Sequence, residues 1–132
     1  MKILIAEDDH TSALFLQHIL AQFGCCDVIH DGEAALELLK QAIAEDAPYD
    51  LLCLDIMMPK LDGQRVLQAL RAEEKQRGVP ADEATKIIMI SALDDSSSIL
   101  NSFELGCEVY MTKPFDKRKL IEHIRELGLI ET

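Results

Sequence analysis

Basic residues are scarce in this chain: 13 lysines and arginines stand against 24 aspartates and glutamates, a formal charge of −11. A field of that sign repels nucleic acid and anionic membrane surfaces, so neither is an expected partner. Long apolar runs are missing too. None approaches the roughly 18 residues that cross a bilayer, and the opening run Ile3 to Ala6 meets acid at Glu7, which is not the pattern of a signal peptide. A cytoplasmic protein is expected. Cys25, Cys26, Cys53 and Cys107 form no CxxC pair and no metal-type spacing with the four histidines, so neither zinc nor a disulfide framework is expected. Cys53, inside Leu51 to Leu54, reads as a small core hydrophobe. His10, His18, His30 and His123 are scattered through loop and helix segments and read as solvated surface.

What is present is enough for one domain with a real core: 132 residues, 48% of them hydrophobic and 28% charged. Ile3 to Ala6, Leu51 to Leu54 and Ile87 to Ile90 are short continuous apolar runs, the length of strands covered on both faces. Weaker runs at Cys26 to Ile29 and Val109 to Met111 make five. Between them lie helical periods: Leu16, Leu20, Phe23; Ala35, Leu38 or Leu39, Ala42; Val66, Leu67, Leu70; Ile99 or Leu100, Phe103; and Leu120 or Ile121, Ile124, Leu127. Ser96 to Ser98 read as the first turn of the fourth helix, capped by Asp94 or Asp95. Gly24, Gly106 and Gly128 stand where left-handed C-caps are expected. Five βα units in a row predict an α/β fold, a three-layer α/β/α sandwich around a five-stranded parallel sheet.

Chemistry collects at the carboxyl ends of these strands. Glu7, Asp8 and Asp9 follow the first, Asp55 closes the third, Ser91 closes the fourth and Lys113 lies just past the fifth. In a doubly wound sheet that edge carries the binding crevice. With strand order 2-1-3-4-5, the acids after the first and third strands share one pocket, which is costly unless a proton or cation intervenes. An oxygen-only donor set with few carboxylates suits Mg²⁺, with Mn²⁺ able to replace it. One ammonium and one hydroxyl added to that set suit a phosphoryl group, and Asp55, held centrally at a strand end, is the expected nucleophile.

The run Asp55, Ile56, Met57, Met58, Pro59, Lys60, Leu61, Asp62, Gly63 resembles the receiver domain of two-component response regulators. Ile5 to Asp9 before it and Tyr110, Met111, Thr112, Lys113, Pro114, Phe115 after it strengthen the likeness, which covers nearly the whole chain, residues 1–132. The resemblance implies a flavodoxin-like fold in which a histidine kinase or phosphotransfer protein donates a phosphoryl group to Asp55 with Mg²⁺. It puts Glu7 and Asp8 at the acidic-pair positions, with Asp8 and Asp9 as the other register, Ser91 at the hydroxyl position and Lys113 at the lysine position. A main-chain carbonyl of Met57 would also reach the metal, and the Lys113–Pro114 peptide would be cis. Tyr110 matches the aromatic switch position, against the simpler reading of an edge-strand tyrosine. The output would be a reshaped surface of the fourth helix, fifth strand and fifth helix, offered to a downstream protein or a second phosphorylated copy. Such a domain signals and is not an enzyme on soluble substrates.

Two rival functions share the topology. A flavin mononucleotide carrier needs a hydroxyl- and glycine-rich loop after the first strand, where this chain has three acids. A metal-dependent aspartyl phosphatase needs a proton donor two residues beyond the nucleophile, where this chain has Met57. A phosphohistidine relay module, usually a helical bundle, has no need of five apolar strands. Met57 and Leu93 also depart from the resembled family, many of whose members carry amides or acids at these positions beside the path of attacking water. Either they shield the acyl phosphate and slow its hydrolysis, or they point to solvent and leave the rate alone. No output domain follows the fifth helix in this sequence, so either this is a free single-domain regulator, the reading that the start at Met1 favours, or a C-terminal part is left out.

Overall fold

The apolar runs become strands because covering layers on both faces leave no polar side to alternate with. A computed structural model describes residues 1–131. β1 (Lys2–Ala6), β3 (Leu51–Leu54) and β4 (Lys86–Ser91) are central, with β2 (Cys25–Ile29) and β5 (Val109–Thr112) at the edges. All neighbours pair in parallel, in the order β2-β1-β3-β4-β5. The expected sheet is therefore present. β1, β2 and β4 start one residue earlier than the apolar runs, and β4 and β5 end one later.

Alternation along each strand sorts the core into two halves. Leu4, Ala6, Leu52, Leu54, Ile87 and Met89 meet Ala35, Leu39 and Ala42 of α2 (Gly32–Ala44) and Val66, Leu67 and Leu70 of α3 (Gly63–Gln76). Ile3, Ile5, Leu51, Cys53, Ile88 and Ile90 meet Leu16, Ile19 and Leu20 of α1 (His10–Leu20) and Leu120 and Ile124 of α5 (Lys117–Glu126). Each Val, Leu, Ile or Met among these, fully buried, is worth about 1.5–3 kcal/mol. The three-layer sandwich follows, with the reversal of strand order between β1 and β3.

Several local expectations change. α1 ends at Leu20, so Phe23 packs on the core from the following turn rather than from the helical stripe. Gly24 is not a left-handed cap; a Cβ there would lie 2.0 Å from the Met1 carbonyl oxygen, so close approach is its reason. Gly106 and Gly128 do take positive φ, at 112° and 79°. A short 3₁₀ turn, Ala81–Glu83, precedes β4.

The largest change concerns α4 (Ser96–Leu105), where Leu100 and Phe103 are 61% and 46% exposed and the one buried residue is Ser102. The cause lies in α3. The Gln64 amide nitrogen donates to the Ser98 carbonyl at 3.1 Å and the Ser102 hydroxyl at 3.2 Å, and its oxygen accepts from Asn101 at 2.9 Å. A half-buried amide packed between two helices favours polar partners, and α4 turns its polar stripe toward it. At the other end, Arg71 of α3 donates to the Gly106 carbonyl and to Glu108.

Candidate functional site

Helix capping separates the strand-end acids into two groups. Asp31, Asp62, Asp95 and Asp116 each accept from a main-chain amide in the first turn of α2, α3, α4 and α5. Asp9 is the N-cap residue of α1, and its carboxylate accepts from the Ser12 hydroxyl at 2.6 Å. The first four satisfy helix ends, and Asp9 is engaged by Ser12. Glu7, Asp8 and Asp55 remain, and their carboxylate oxygens lie within 4.8 Å of one another. Of the two registers, the structure brings Glu7 and Asp8, not Asp8 and Asp9, to Asp55.

Sheet register dictates this convergence. Ala6 pairs with Leu54, so the residues that follow, Glu7 and Asp55, leave adjacent strands side by side at the switch point. Both are buried, at 1% and 6% exposure, whereas Asp8 sits at the exposed rim. Lys113 enters from the end of β5 and donates to Asp55 Oδ2 at 2.8 Å and to Glu7 Oε1. Its main-chain amide is tied to the Ser91 carbonyl at 2.8 Å, and the Lys113–Pro114 peptide is cis.

The remaining expected residues gather around this core. The Met57 amide donates to Asp55 Oδ1 at 3.2 Å, which folds the main chain of Met57 against that carboxylate while its side chain is 59% exposed. Ser91 is buried at the end of β4, its hydroxyl accepting from the Leu93 amide at 3.3 Å. Tyr110 is not a plain surface tyrosine, because its hydroxyl donates to the Leu93 carbonyl at 2.6 Å and ties β5 to the β4–α4 loop. Leu93 is half-buried against the α2–α3 side of the core.

Electrostatics at this edge are unbalanced in a specific way. Three carboxylates and one ammonium leave a formal charge of −2 when all are ionised, the charge that one divalent cation cancels. Burial pushes the Glu7 carboxyl up to about 7, and the hydrogen bond and charge of Asp55 push the same way against Lys113. Burial works against the Lys113 ammonium, but Asp55 and Glu7 outweigh it and hold its pKa above the ordinary lysine value. An all-oxygen donor set with a strained negative charge fits a hard cation of the Mg²⁺ type.

The raised Glu7 carboxyl makes stability depend on pH. Its folded pKa of about 7 lies above the ordinary 4.5, so the folded state keeps a proton that the unfolded chain releases. That contribution is fully present below about pH 4.5 and is lost as pH rises through about 7. In chelator, the melting temperature should fall across this window in the wild type, and the fall should flatten in Glu7→Gln. An unchanged slope would remove Glu7 as its source.

Gly63, which ends the run that begins at Asp55, has a packing role. As the first residue of α3 it packs directly on the Asp55 main chain, where a Cβ would sit 2.0 Å from the Asp55 carbonyl oxygen. Gly63→Ala should therefore lower stability by about 1–3 kcal/mol, the usual cost of overpacking. A denaturant midpoint unchanged from wild type would contradict this.

Comparison with known proteins agrees with the geometry. Residues 3–125 match the sequence model of the family described as response regulator receiver domain. The chain is 36% identical over 127 residues to transcriptional regulatory protein CpxR of Escherichia coli, an alignment covering 96% of this chain and 48% of that protein. It is 40% identical over 128 residues to the probable transcriptional regulator ycf27 of Porphyridium aerugineum, covering 96% and 47%. The chain thus spans about half the length of the curated relatives it matches. Among solved structures, the Francisella response regulator 1452 receiver domain superposes with a TM-score of 0.76 at 34% identity, covering 96% of this chain and 94% of that one. The structure of a CheX–CheY–BeF3–Mg complex from Borrelia burgdorferi gives a TM-score of 0.82 at 26% identity, covering 99% and 90%.

Proposed function

The chain belongs to the response regulator receiver domain family, and from that membership we propose that it accepts a phosphoryl group on Asp55 in a Mg²⁺-dependent reaction. The carrying observation is the convergence of Glu7, Asp8, Asp55 and Lys113 at one sheet edge. Glu7, Asp8, Asp55 and the Met57 carbonyl would hold the cation, and Mn²⁺ would serve in its place. When bound, the cation would neutralise phosphoryl oxygens that otherwise meet only carboxylates. The donor is the phosphohistidine of a sensor kinase or phosphotransfer protein. A carboxylate oxygen of Asp55 forms the new P–O bond as the P–N bond to the donor imidazole breaks. Lys113 already contacts Asp55 Oδ2 and lies ready to neutralise the acyl phosphate, while Ser91 supplies a hydroxyl donor.

Switching would run through Ser91 and the β4–α4 loop, where Tyr110 already holds the Leu93 carbonyl. The surface of α4, β5 and α5 is the proposed output face, read by a downstream protein or a second phosphorylated copy. α4 suits this role because Leu100 and Phe103 are free while Gln64 and Arg71 hold the helix by polar contacts. Amide exchange between Ile99 and Ile121 should change on phosphorylation, and identical exchange would remove this face. Among the described residues no helix is long and apolar enough to cross a membrane. We place the protein in the cytoplasm, with residues 1–132 as a receiver that signals rather than turning over soluble substrates. At −11, this segment is not itself the DNA-contacting part of any longer regulator.

An acyl phosphate donor with Mg²⁺ should add one phosphoryl group to the intact protein by mass spectrometry, and chelator should prevent it. Equal labelling in chelator would contradict the metal requirement.

A further inference from the structure

The loop bearing Glu7 and Asp8 is secured by a contact that the acidic cluster does not account for. At the end of the β1–β2 ladder the Glu7 amide donates to the Ile29 carbonyl at 3.0 Å. In a regular parallel ladder the next bond would return from the residue-31 amide to the Glu7 carbonyl. Here the chain turns into α2 with Asp31 as its N-cap, and Nδ1 of His30 lies 2.9 Å from the Glu7 carbonyl oxygen. A carbonyl only accepts, so Nδ1 carries the proton and donates. The ring is braced on its face by His10, the first residue of α1, with centroids 3.9 Å apart and planes within 7°. The expectation that His30 is merely solvated is thereby corrected, since it is half-buried and joins two loops, whereas His10 is exposed as expected.

The carbonyl that His30 holds belongs to the Glu7–Asp8 peptide. Its orientation sets the backbone direction from which Glu7 enters the buried cluster and Asp8 reaches the rim. Asp8 is exposed, so without such a hold its loop would have to be ordered when a cation binds, and that ordering weakens affinity.

We propose that His30, braced by His10, is a positioning residue for the cation site, presetting the Glu7–Asp8 peptide so that the Asp8 carboxylate faces Glu7 and Asp55. This rests on the cation reading given above. Contacts that orient metal ligands are worth about 10- to 100-fold in affinity, and one made through the main chain belongs near the lower figure.

Two variants separate the donor from the stack. His30→Asn keeps a nitrogen donor at the reach of Nδ1 and loses the aromatic face, whereas His30→Phe keeps the face and loses the donor. Titration calorimetry with Mg²⁺ on the full chain should show affinity weakened about tenfold in His30→Phe and in His30→Ala, with His30→Asn within about twofold of wild type. The melting temperature of each variant in chelator reports fold stability separately. Lower melting temperatures with unchanged Mg²⁺ affinity would assign His30 a purely structural role and overturn the proposal, as would equal affinities in the Asn and Phe variants. A wild-type protein that takes up no Mg²⁺ would instead contradict the underlying cation reading.

Discussion

Asp8→Ala should leave a folded protein that binds Mg²⁺ at least about 100-fold more weakly, because even groups that only orient a ligand are worth 10- to 100-fold. Asp8 is exposed, so its truncation should change stability by no more than about 0.5 kcal/mol. The loss of function is electrostatic. Glu7 and Asp55 already share one edge with a single ammonium, and an incoming phosphoryl group adds further negative charge. With the cation gone, phosphorylation by an acyl phosphate should fall with it, as read by intact mass. Labelling of Asp8→Ala at the wild-type rate would show that the acidic cluster does not act through a cation.

The acyl phosphate, once formed, should be long-lived. On the shielding reading, Met57 and Leu93 would flank the approach to Asp55 with side chains that cannot hydrogen-bond water, and the attacking water would lack the positioning that accounts for much of catalysis in phosphoryl transfer. The Met57 side chain is 59% exposed and Leu93 is half-buried against the core. The double variant Met57→Asn, Leu93→Glu should lose phosphate about tenfold faster, equivalent to about 1.4 kcal/mol in the barrier. A double variant no faster than wild type would mean that these side chains leave the water's path alone.

The sheet was readable from sequence because three strands are covered on both faces and so appear as unbroken apolar runs. Once the strand order was inferred, Asp55 and the acids after β1 had to meet, since residues that end adjacent parallel strands leave at one edge. The choice among Glu7, Asp8 and Asp9 was open because it turns on which acid caps α1, a matter of one residue in register. The inward face of α4 was not legible for a related reason, although its start and its Asp95 cap were. Ile99, Leu100 and Phe103 have helical spacing, but spacing cannot reveal that Gln64 from α3 demands polar partners at Ser98 and Ser102. Nor could the sequence show that Gly63 packs on the Asp55 carbonyl or that His10 and His30 stack, because both depend on how separate loops approach in space.

The central claim is that Asp55 receives the phosphoryl group, and locating the adduct tests it most directly. Wild-type protein treated with an acyl phosphate and Mg²⁺ would be proteolysed and the modified residue assigned by tandem mass spectrometry, with Asp55→Asn treated in parallel. A single modification on Asp55, missing from Asp55→Asn, is the predicted result. A phosphoryl group on any other residue of the wild type, or an adduct that persists in Asp55→Asn, would contradict it.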